Sequence, residues 1–416
     1  MTRHHPPPHQ QQQQQQQQPP LRLIVNAVND NAQPRGPDRY LDELLRAMAD
    51  LPDAPSVQLV VAPWQGHFND TPLGPQGRLH RVTPPRGPIP RVLWQALVFP
   101  RIARRIGGDA VFLPNLLYTP RLHAPSLLTA HDLLQFRAPD KFGALKSRLL
   151  RWLIKRALHS ANRIKSVSAF TASDITRYTA TDPQKIRVIP EGGPAPAPRT
   201  TTKPDPFFLF VGKVERTKNV AQLIRAFNAS DTLRALKYRL CIVGPDGNAA
   251  DEVAQLLPAD RVDRPGFIPE AELTRLYATT RGFVFPSTAE GFGLVLLEAM
   301  ARGAPVIAAN ATSLPEVAGH AALLVPPDDQ TALQQAMEDL ASDDALFTRL
   351  QQAGYRRLGD FSWQQAAQDT LGELHDLAGR APPRQPAARP APGPAPAPAP
   401  PAPARGGAGG AGPRGG

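Results

Sequence analysis

Two carboxylates eight positions apart, Glu290 and Glu298, flank a glycine-rich turn in the segment STAEGFGLVLLEAMARGAPVIAAN, 287–310. Glu290 follows the apolar run 282–287, and Gly291 and Gly293 let a backbone approach a ligand closely. A helix that starts there aims its free N–H groups and positive dipole end at the same spot, a ready site for phosphate. Glu298 falls about a turn and a half into that helix, among Leu294, Val295, Leu296, Leu297, Ala299, Met300 and Ala301. A carboxylate in so apolar a helix is costly unless something hydrogen-bonds it, and sugar or ribose hydroxyls are suitable donors. The plainer alternative is that Glu290 caps the helix and Glu298 pairs with a Lys or Arg.

Two cations bracket a second loop. Lys213 and Lys218 lie in FVGKVERTKN (210–219), where a strand end runs towards a helix. Together they could neutralise a diphosphate without a metal, as point charges on flexible stems. Either lysine alone reads as solvated surface, and Arg216 between them could equally face water. Nearer the amino terminus, Gly36 opens the loop after the apolar run 21–28, where backbone amides could face a phosphate. His131 and Asp132 close the run 125–132. The imidazole could hydrogen-bond a substrate hydroxyl with Asp132 fixing its tautomer, or the pair could be structural.

These residues need a frame, and the apolar patterning supplies one. Runs at 21–28, 56–63, 108–114, 125–132, 163–168 and 185–190 read as strands. Helical spacing occupies Tyr40 to Met48, 92–106, 144–158 and 170–179 between them. Pro-rich residues 192–206 interrupt the alternation and read as an interdomain linker. A second series follows, with strands at 207–212, 238–244, 282–287, 305–310 and 321–327. Its helices fall at 219–229, 270–280, 292–303, 331–341 and 362–377, the last with Ser362 as N-cap. Strands alternating with helices imply parallel sheets covered on both faces. Two such α/β domains joined by a linker place a ligand in the cleft between them, at the carboxyl ends of the strands.

Composition bounds the rest. Of 416 residues, 49 are Pro and one is Cys. The single Cys, Cys241, excludes a disulfide framework and a Cys-based zinc site. Residues 1–20, with Gln10 to Gln18 unbroken, and 379–416, nearly all Pro, Ala, Gly and Arg, are expected to be disordered tails. No apolar run is long enough for a transmembrane helix and the amino terminus is polar, so a cytoplasmic protein is expected. The net charge is +11. Basic residues dominate from Arg78 to Lys165, where the acids are Asp109, Asp132 and Asp140. Such a field attracts phosphate-bearing partners: nucleic acid, an anionic membrane, or a phosphorylated ligand.

The segments FVGKVERTKNVAQLIRAF, LLTAHDL, SVSAFTASDI, VIPEGG and EGFGLVLLEAMARGAPVIA resemble the retaining glycosyltransferases of family four, which have the GT-B fold. The likeness runs from about Leu21 to Leu377, and its most specific part is the Glu-x7-Glu element with its FGL turn. The resemblance implies two Rossmann-like parallel-sheet domains facing across a cleft. Their spans would be an acceptor domain over 21–191, the linker 192–206, a nucleotide-sugar domain over 207–360, and a last helix over 361–378 that crosses back to the first domain. It further implies that Glu298 holds the ribose hydroxyls of a nucleotide sugar and that Glu290 contacts the donor hexose. The amides of Phe292, Gly293 and Leu294 would meet the hexose and diphosphate. Lys213 and Lys218 would bind the diphosphate, Gly36 would face it from the first domain, and His131 would contact the transferred sugar.

The implied reaction is metal-independent hexosyl transfer, of mannosyl, glucosyl or rhamnosyl type, with retention. The acceptor would be a glycan or lipid-linked hydroxyl in cell-surface polysaccharide synthesis, and no cofactor is required. The sequence departs from the family pattern twice, with Lys213 where Arg is common and with Asp38 in GPDRY in place of a second Gly. An acid facing inward beside a phosphate site would be unfavourable.

Helix 145–158, LKSRLLRWLIKRAL, has Leu149, Trp152, Leu153 and Ala157 near one side and Lys146, Arg148, Arg151, Lys155 and Arg156 largely elsewhere. It could lie on anionic lipid at the inner face of the plasma membrane, each base contributing about 1 kcal/mol, or pack its apolar side on the sheet. The competing readings are a basic non-enzymatic nucleic-acid-binding protein and another GT-B sugar enzyme such as an epimerase. No nucleic-acid module is recognisable, so no nucleic-acid partner is expected.

Overall fold

The computed structural model describes residues 19–30, 32, 36–137, 144–197, 199, 203–256 and 260–380. Most of the two expected tails, 1–18 and 381–416, lies outside the described residues. The first sheet contains β1 (Arg22–Asn26), β2 (Ser56–Val61), β3 (Arg78–Arg81), β4 (Ala110–Leu113), β5 (Ser126–Ala130), β6 (Arg163–Ser166) and β7 (Ile186–Val188). The second contains β8 (Asp205–Val211), β9 (Arg239–Val243), β10 (Val262–Gly266), β11 (Thr280–Phe285), β12 (Val306–Ala309) and β13 (Ala322–Val325). Spatial orders are β3-β2-β1-β4-β5-β6-β7 and β10-β9-β8-β11-β12-β13, with parallel pairing between these strands. Each sheet reverses its winding once, between β1 and β4 and between β8 and β11. At such a switch point the strand ends part and leave a crevice.

The central strands are apolar runs because both their faces are covered. Every position of β5, β11 and β12 is buried. Within β1, Leu23 and Val25 face the layer formed by helices Gly36–Ala49 and Trp363–Leu377. Ile24 faces the opposite layer, with Trp94, Phe99, Ile154 and Leu158 from helices Pro88–Leu97, Phe99–Ile106 and Ala144–Ser160. The alternation is the two-residue period of a strand between two helical layers.

Helix Trp363–Leu377 belongs in space to the first domain. Ser362 Oγ accepts from Gln365 N at 3.3 Å as its N-cap. Ala366, Ala367, Leu371 and Leu374 enter the first domain's core. Arg163 of β6 pairs with Glu373 and Asp376, and Arg187 of β7 with Glu373. Lys165, fully buried, donates to Thr370 Oγ1 at 2.9 Å and lies 5.1 Å from the Tyr40 ring centroid.

Some elements go beyond the sequence-based expectation. Strands β3 (RLHR) and β10 (VDRPG) are half-exposed sheet edges with no apolar run, and Pro265 in β10 is tolerated only at an edge. Helix Asp344–Leu358 carries Gly354 in its interior, where a Cβ would lie 3.1 Å from the Met300 side chain. Helix closeness, not propensity, decides that residue. Cys241 is buried in β9 and free, and burial first of all pushes its thiol up to about 11, which makes it inert.

Candidate active site in the interdomain cleft

The site residues come from strand ends at the two switch points. Gly36 begins the helix that follows β1, and a Cβ there would meet nothing within 4 Å. His131 follows β5, Lys213 and Lys218 follow β8, and Glu290 follows β11. Helix Leu294–Ala301 then starts from Gly293, whose φ of 106° lies in the left-handed region and whose Cβ would crowd Leu314 at 2.7 Å.

Glu290 and Lys218 form a pair. Glu290 Oε1 accepts from Lys218 Nζ at 2.5 Å and from Ser287 Oγ at 2.6 Å. The turn is held by Thr312, whose Oγ1 accepts from Glu290 N at 3.0 Å, and by Ser313, whose Oγ donates to Phe292 O at 2.8 Å. The Lys218 ammonium also lies 5.1 Å from the Phe285 ring centroid. Glu290 therefore does not cap the helix, whose N-cap position is Gly293. Lys213 is more exposed than Lys218 and pairs with Glu215 at 3.2 Å.

Glu298 lines a cavity of about 750 Å³ between the domains. Arg39, Glu43 and Arg46 close it from the first domain, and Tyr277, Leu294 and Arg302 from the second. Tyr277 Oη donates to Glu298 Oε2 at 3.4 Å, so the carboxylate meets a phenol and not an arginine fork. Burial is the main reason its carboxyl is raised above the ordinary range. Arg39 opposes that shift, Glu270 adds to it, and Tyr277 and Arg302 oppose it. Arg39 also reaches across the cleft to Glu270 at 3.7 Å. Glu290, Lys213 and Lys218 lie outside this cavity's wall, so the structure divides the expected set between the cavity and the neighbouring strand-end cluster.

The two domains touch at that cluster. Gly291 packs on the backbone of His131, and a Cβ at 291 would lie 1.6 Å from the His131 carbonyl oxygen. The small size of Gly291 thus serves domain approach, where the sequence suggested ligand approach. Ser168 Oγ and Thr171 Oγ1 donate to Gly291 O at 2.6 and 3.1 Å. Glu316 of the second domain accepts from Ala169 N and Phe170 N at 2.8 and 3.1 Å, capping helix Ala169–Thr179 of the first.

His131 differs from expectation in its partners. Its Nδ1 lies 3.1 Å from Glu191 Oε1 and its Nε2 2.9 Å from the Pro114 carbonyl oxygen. Asp132 instead accepts from Leu134 N at 3.1 Å, so the ring's tautomer is set by Glu191 and Pro114. Asp38, the departure in GPDRY, is buried and accepts from Asn29 Nδ2 at 2.6 Å, with His67 Nε2 at 3.9 Å. Those contacts satisfy the carboxylate within the first domain. Glu191, Tyr277 and Arg39 were not singled out from sequence, because their partners come from distant parts of the chain.

Two Rossmann-like parallel sheets facing across a cleft define the GT-B fold. The family described as glycosyl transferases group 1 matches residues 196–357, and glycosyltransferase family 4 matches 34–192. Among relatives, the O-antigen chain mannosyltransferase B of Escherichia coli is 30% identical over 276 residues, covering 62% of this chain and 72% of that protein. The alpha-maltose-1-phosphate synthase of Mycolicibacterium smegmatis is 30% identical over 297 residues, covering 64% and 75%. Among solved structures, sucrose-phosphate synthase from Thermosynechococcus elongatus superposes with a TM-score of 0.67 at 21% identity, covering 86% of this chain and 98% of that one. Anabaena Alr3699/HepE in complex with UDP and glucose gives 0.67 at 16% identity, covering 85% and 100%. The chain belongs to the group 1 glycosyltransferases and is an enzyme of that kind. That membership displaces the reading as a non-enzymatic nucleic-acid-binding protein.

Proposed function

We propose that the protein transfers a hexosyl group from a nucleotide diphosphate sugar to an acceptor hydroxyl on a glycan or lipid-linked saccharide, with retention and without a metal. The observation that carries this reading is Glu298, a carboxylate in an apolar helix, lining the interdomain cavity of about 750 Å³. Ribose hydroxyls are suitable further donors to that carboxylate, beside Tyr277. The names of the relatives favour a mannosyl donor and O-antigen-type polysaccharide, and the UDP in the Anabaena structure favours a nucleotide leaving group.

In the reaction the bond from the anomeric carbon to the diphosphate oxygen breaks, and a bond to the acceptor oxygen forms on the same face. The acceptor proton passes to the departing diphosphate oxygen. Lys218, Lys213 and the helix start at Gly293 stabilise the charge that develops there, the logic of a preorganised oxyanion site. Glu290, already tied through Oε1, offers its other oxygen to the hexose. Closure at the Gly291 contact excludes water.

A thermal-shift panel of nucleotide diphosphates and nucleotide sugars tests the reading, since a tight ligand raises the melting temperature by mass action. Wild type should respond to one base above the others, with and without EDTA, and Glu298→Ala should abolish the response. A wild-type response in Glu298→Ala would refute the ribose role.

The enzyme works in the cytoplasm, peripherally on anionic membrane. Helix Ala144–Ser160 buries Ile154, Ala157 and Leu158 but leaves Leu149 48% and Trp152 50% exposed, flanked by bases. Leu93 and Leu97 are exposed on the same layer of the domain. The protein should sediment with anionic vesicles at low salt and lose that binding in Trp152→Glu. Residence of wild type in the supernatant would refute membrane contact.

A further inference from the structure

His131 sits in a cage built from four separate parts of the chain. Glu191 follows β7, Pro114 follows β4, Tyr40 belongs to helix Gly36–Ala49, and Gly291 comes from the second domain. The Tyr40 ring meets the imidazole edge-on at 4.7 Å between centroids, and Tyr40 Oη lies 3.3 Å from Thr129 Oγ1. Gly291 covers the His131 carbonyl. Both ring nitrogens are engaged, Nδ1 by the Glu191 carboxylate and Nε2 by the Pro114 carbonyl.

A carbonyl oxygen only accepts, so Nε2 carries a proton. A neutral imidazole has one N–H, and its remaining lone pair on Nδ1 would then face a carboxylate at 3.1 Å. The opposite tautomer turns the Nε2 lone pair on the Pro114 carbonyl at 2.9 Å. With Glu191 ionised, only a ring with both N–H groups satisfies the two contacts at once; a neutral ring would need Glu191 to carry the proton and donate it to Nδ1. We propose that Glu191 is the positioning residue of His131 and holds its ring as a doubly donating imidazolium at the domain contact.

Glu191 has a second basic neighbour besides the ring. It is buried, it faces the imidazole, and the ammonium of Lys165 interacts with it favourably. The following residue fixes it to the crossing helix, since a Cβ at Gly192 would lie 2.4 Å from Trp363. The consequence for transfer is specific. His131 has no free nitrogen lone pair and does not take the acceptor proton. It presents a fixed positive edge next to the turn that carries Glu290. That role rests on the transfer reaction proposed above, whereas the protonation of the ring stands independently of it.

The test is nitrogen NMR of the full-length protein with isotope-labelled histidine side chains, His131 being assigned by its loss in His131→Asn. Near neutral pH the wild-type ring should show both nitrogens protonated, and Glu191→Gln should convert it to a ring protonated on Nε2 alone. A wild-type ring with one protonated nitrogen overturns the proposal, as does Glu191→Gln with wild-type ring signals. The wild-type spectrum decides alone if that variant does not fold. In turnover, Glu191→Gln should lower kcat by about tenfold or more with the donor KM within about twofold, and Glu191→Asp should restore part of it. An unchanged kcat in Glu191→Gln would refute the positioning role. Absence of turnover with every nucleotide sugar would refute the proposed reaction and leave the ring spectrum to decide the clamp.

Discussion

At the residue scale, the sharpest constraint is the space at position 291. A methyl group there would collide with backbone of the opposite domain, and backbone cannot swing aside as a side chain can. Gly291→Ala should hold the domains apart and lower kcat/KM by about tenfold or more, with each domain still folded by circular dichroism. Wild-type kcat/KM in that variant would mean that closure does not use this contact. Glu298 yields a pH prediction. Its carboxyl is raised by burial, and hydroxyl recognition needs the carboxylate. Nucleotide affinity should therefore decline as pH falls, beginning above the range where an exposed Glu titrates. Titration calorimetry across weakly acidic pH reads this, and flat affinity would contradict it. The carboxylate at 298 was legible in the sequence because its neighbours along the helix are all apolar. Glu191 was not, because what gives it meaning is His131, brought to it only by the adjacency of β5, β6 and β7.

At the element scale, the central strands were readable because burial on both faces leaves continuous apolar runs. Edge strands β3 and β10 were not, since an edge needs little apolar surface and here contains Arg78, Arg81, Arg264 and Pro265. The crossing helix was readable from Ser362 and its apolar spacing, but its deepest polar contact was not. Lys165 is pushed down to about 7, chiefly by burial, with Glu191 and Asp369 pulling the other way. Between that value and the ordinary lysine range, the unfolded chain binds more protons than the folded one, so stability from this group rises with pH. Below about 7 the ammonium is charged in both states, and the full cost of burying it remains. Lys165→Met should thus raise the melting temperature by a few degrees below neutral pH, and the gain should shrink as pH rises towards that of free lysine. A gain that grows with pH would reverse the assignment. Glu373→Ala, which removes the carboxylate shared by Arg163 and Arg187, should loosen the same helix; hydrogen exchange over 363–377 would register it.

At the scale of the whole molecule, charge and apolar exposure share one layer. Helices Pro88–Leu97, Phe99–Ile106 and Ala144–Ser160 contain no acidic residue, and five of the large exposed apolar side chains, Leu93, Leu97, Val98, Leu149 and Trp152, lie in or between them. Vesicle binding through this layer should weaken steeply between low and physiological salt, with a residual apolar component that salt does not remove. Binding insensitive to salt would point to another face. The sequence showed the excess of bases but not that Ile154 and Leu158 turn inward while Leu149 and Trp152 turn out, because helical spacing alone assigns both sets to neighbouring faces.

The return of residues 363–377 to the first sheet also sets an order of events during synthesis. The surface that receives Ala366, Ala367, Leu371 and Leu374 is made early in translation, and the segment that covers it is among the last described parts of the chain. From Val188 to Trp363, at about 5–20 residues per second, a ribosome needs roughly 9–35 s. For that interval a nascent first domain carries an uncovered greasy face beside a sheet that is otherwise complete. Ribosome-bound chains stalled before Trp363 should recruit hydrophobic-surface chaperones, and those stalled well beyond Leu377 should release them.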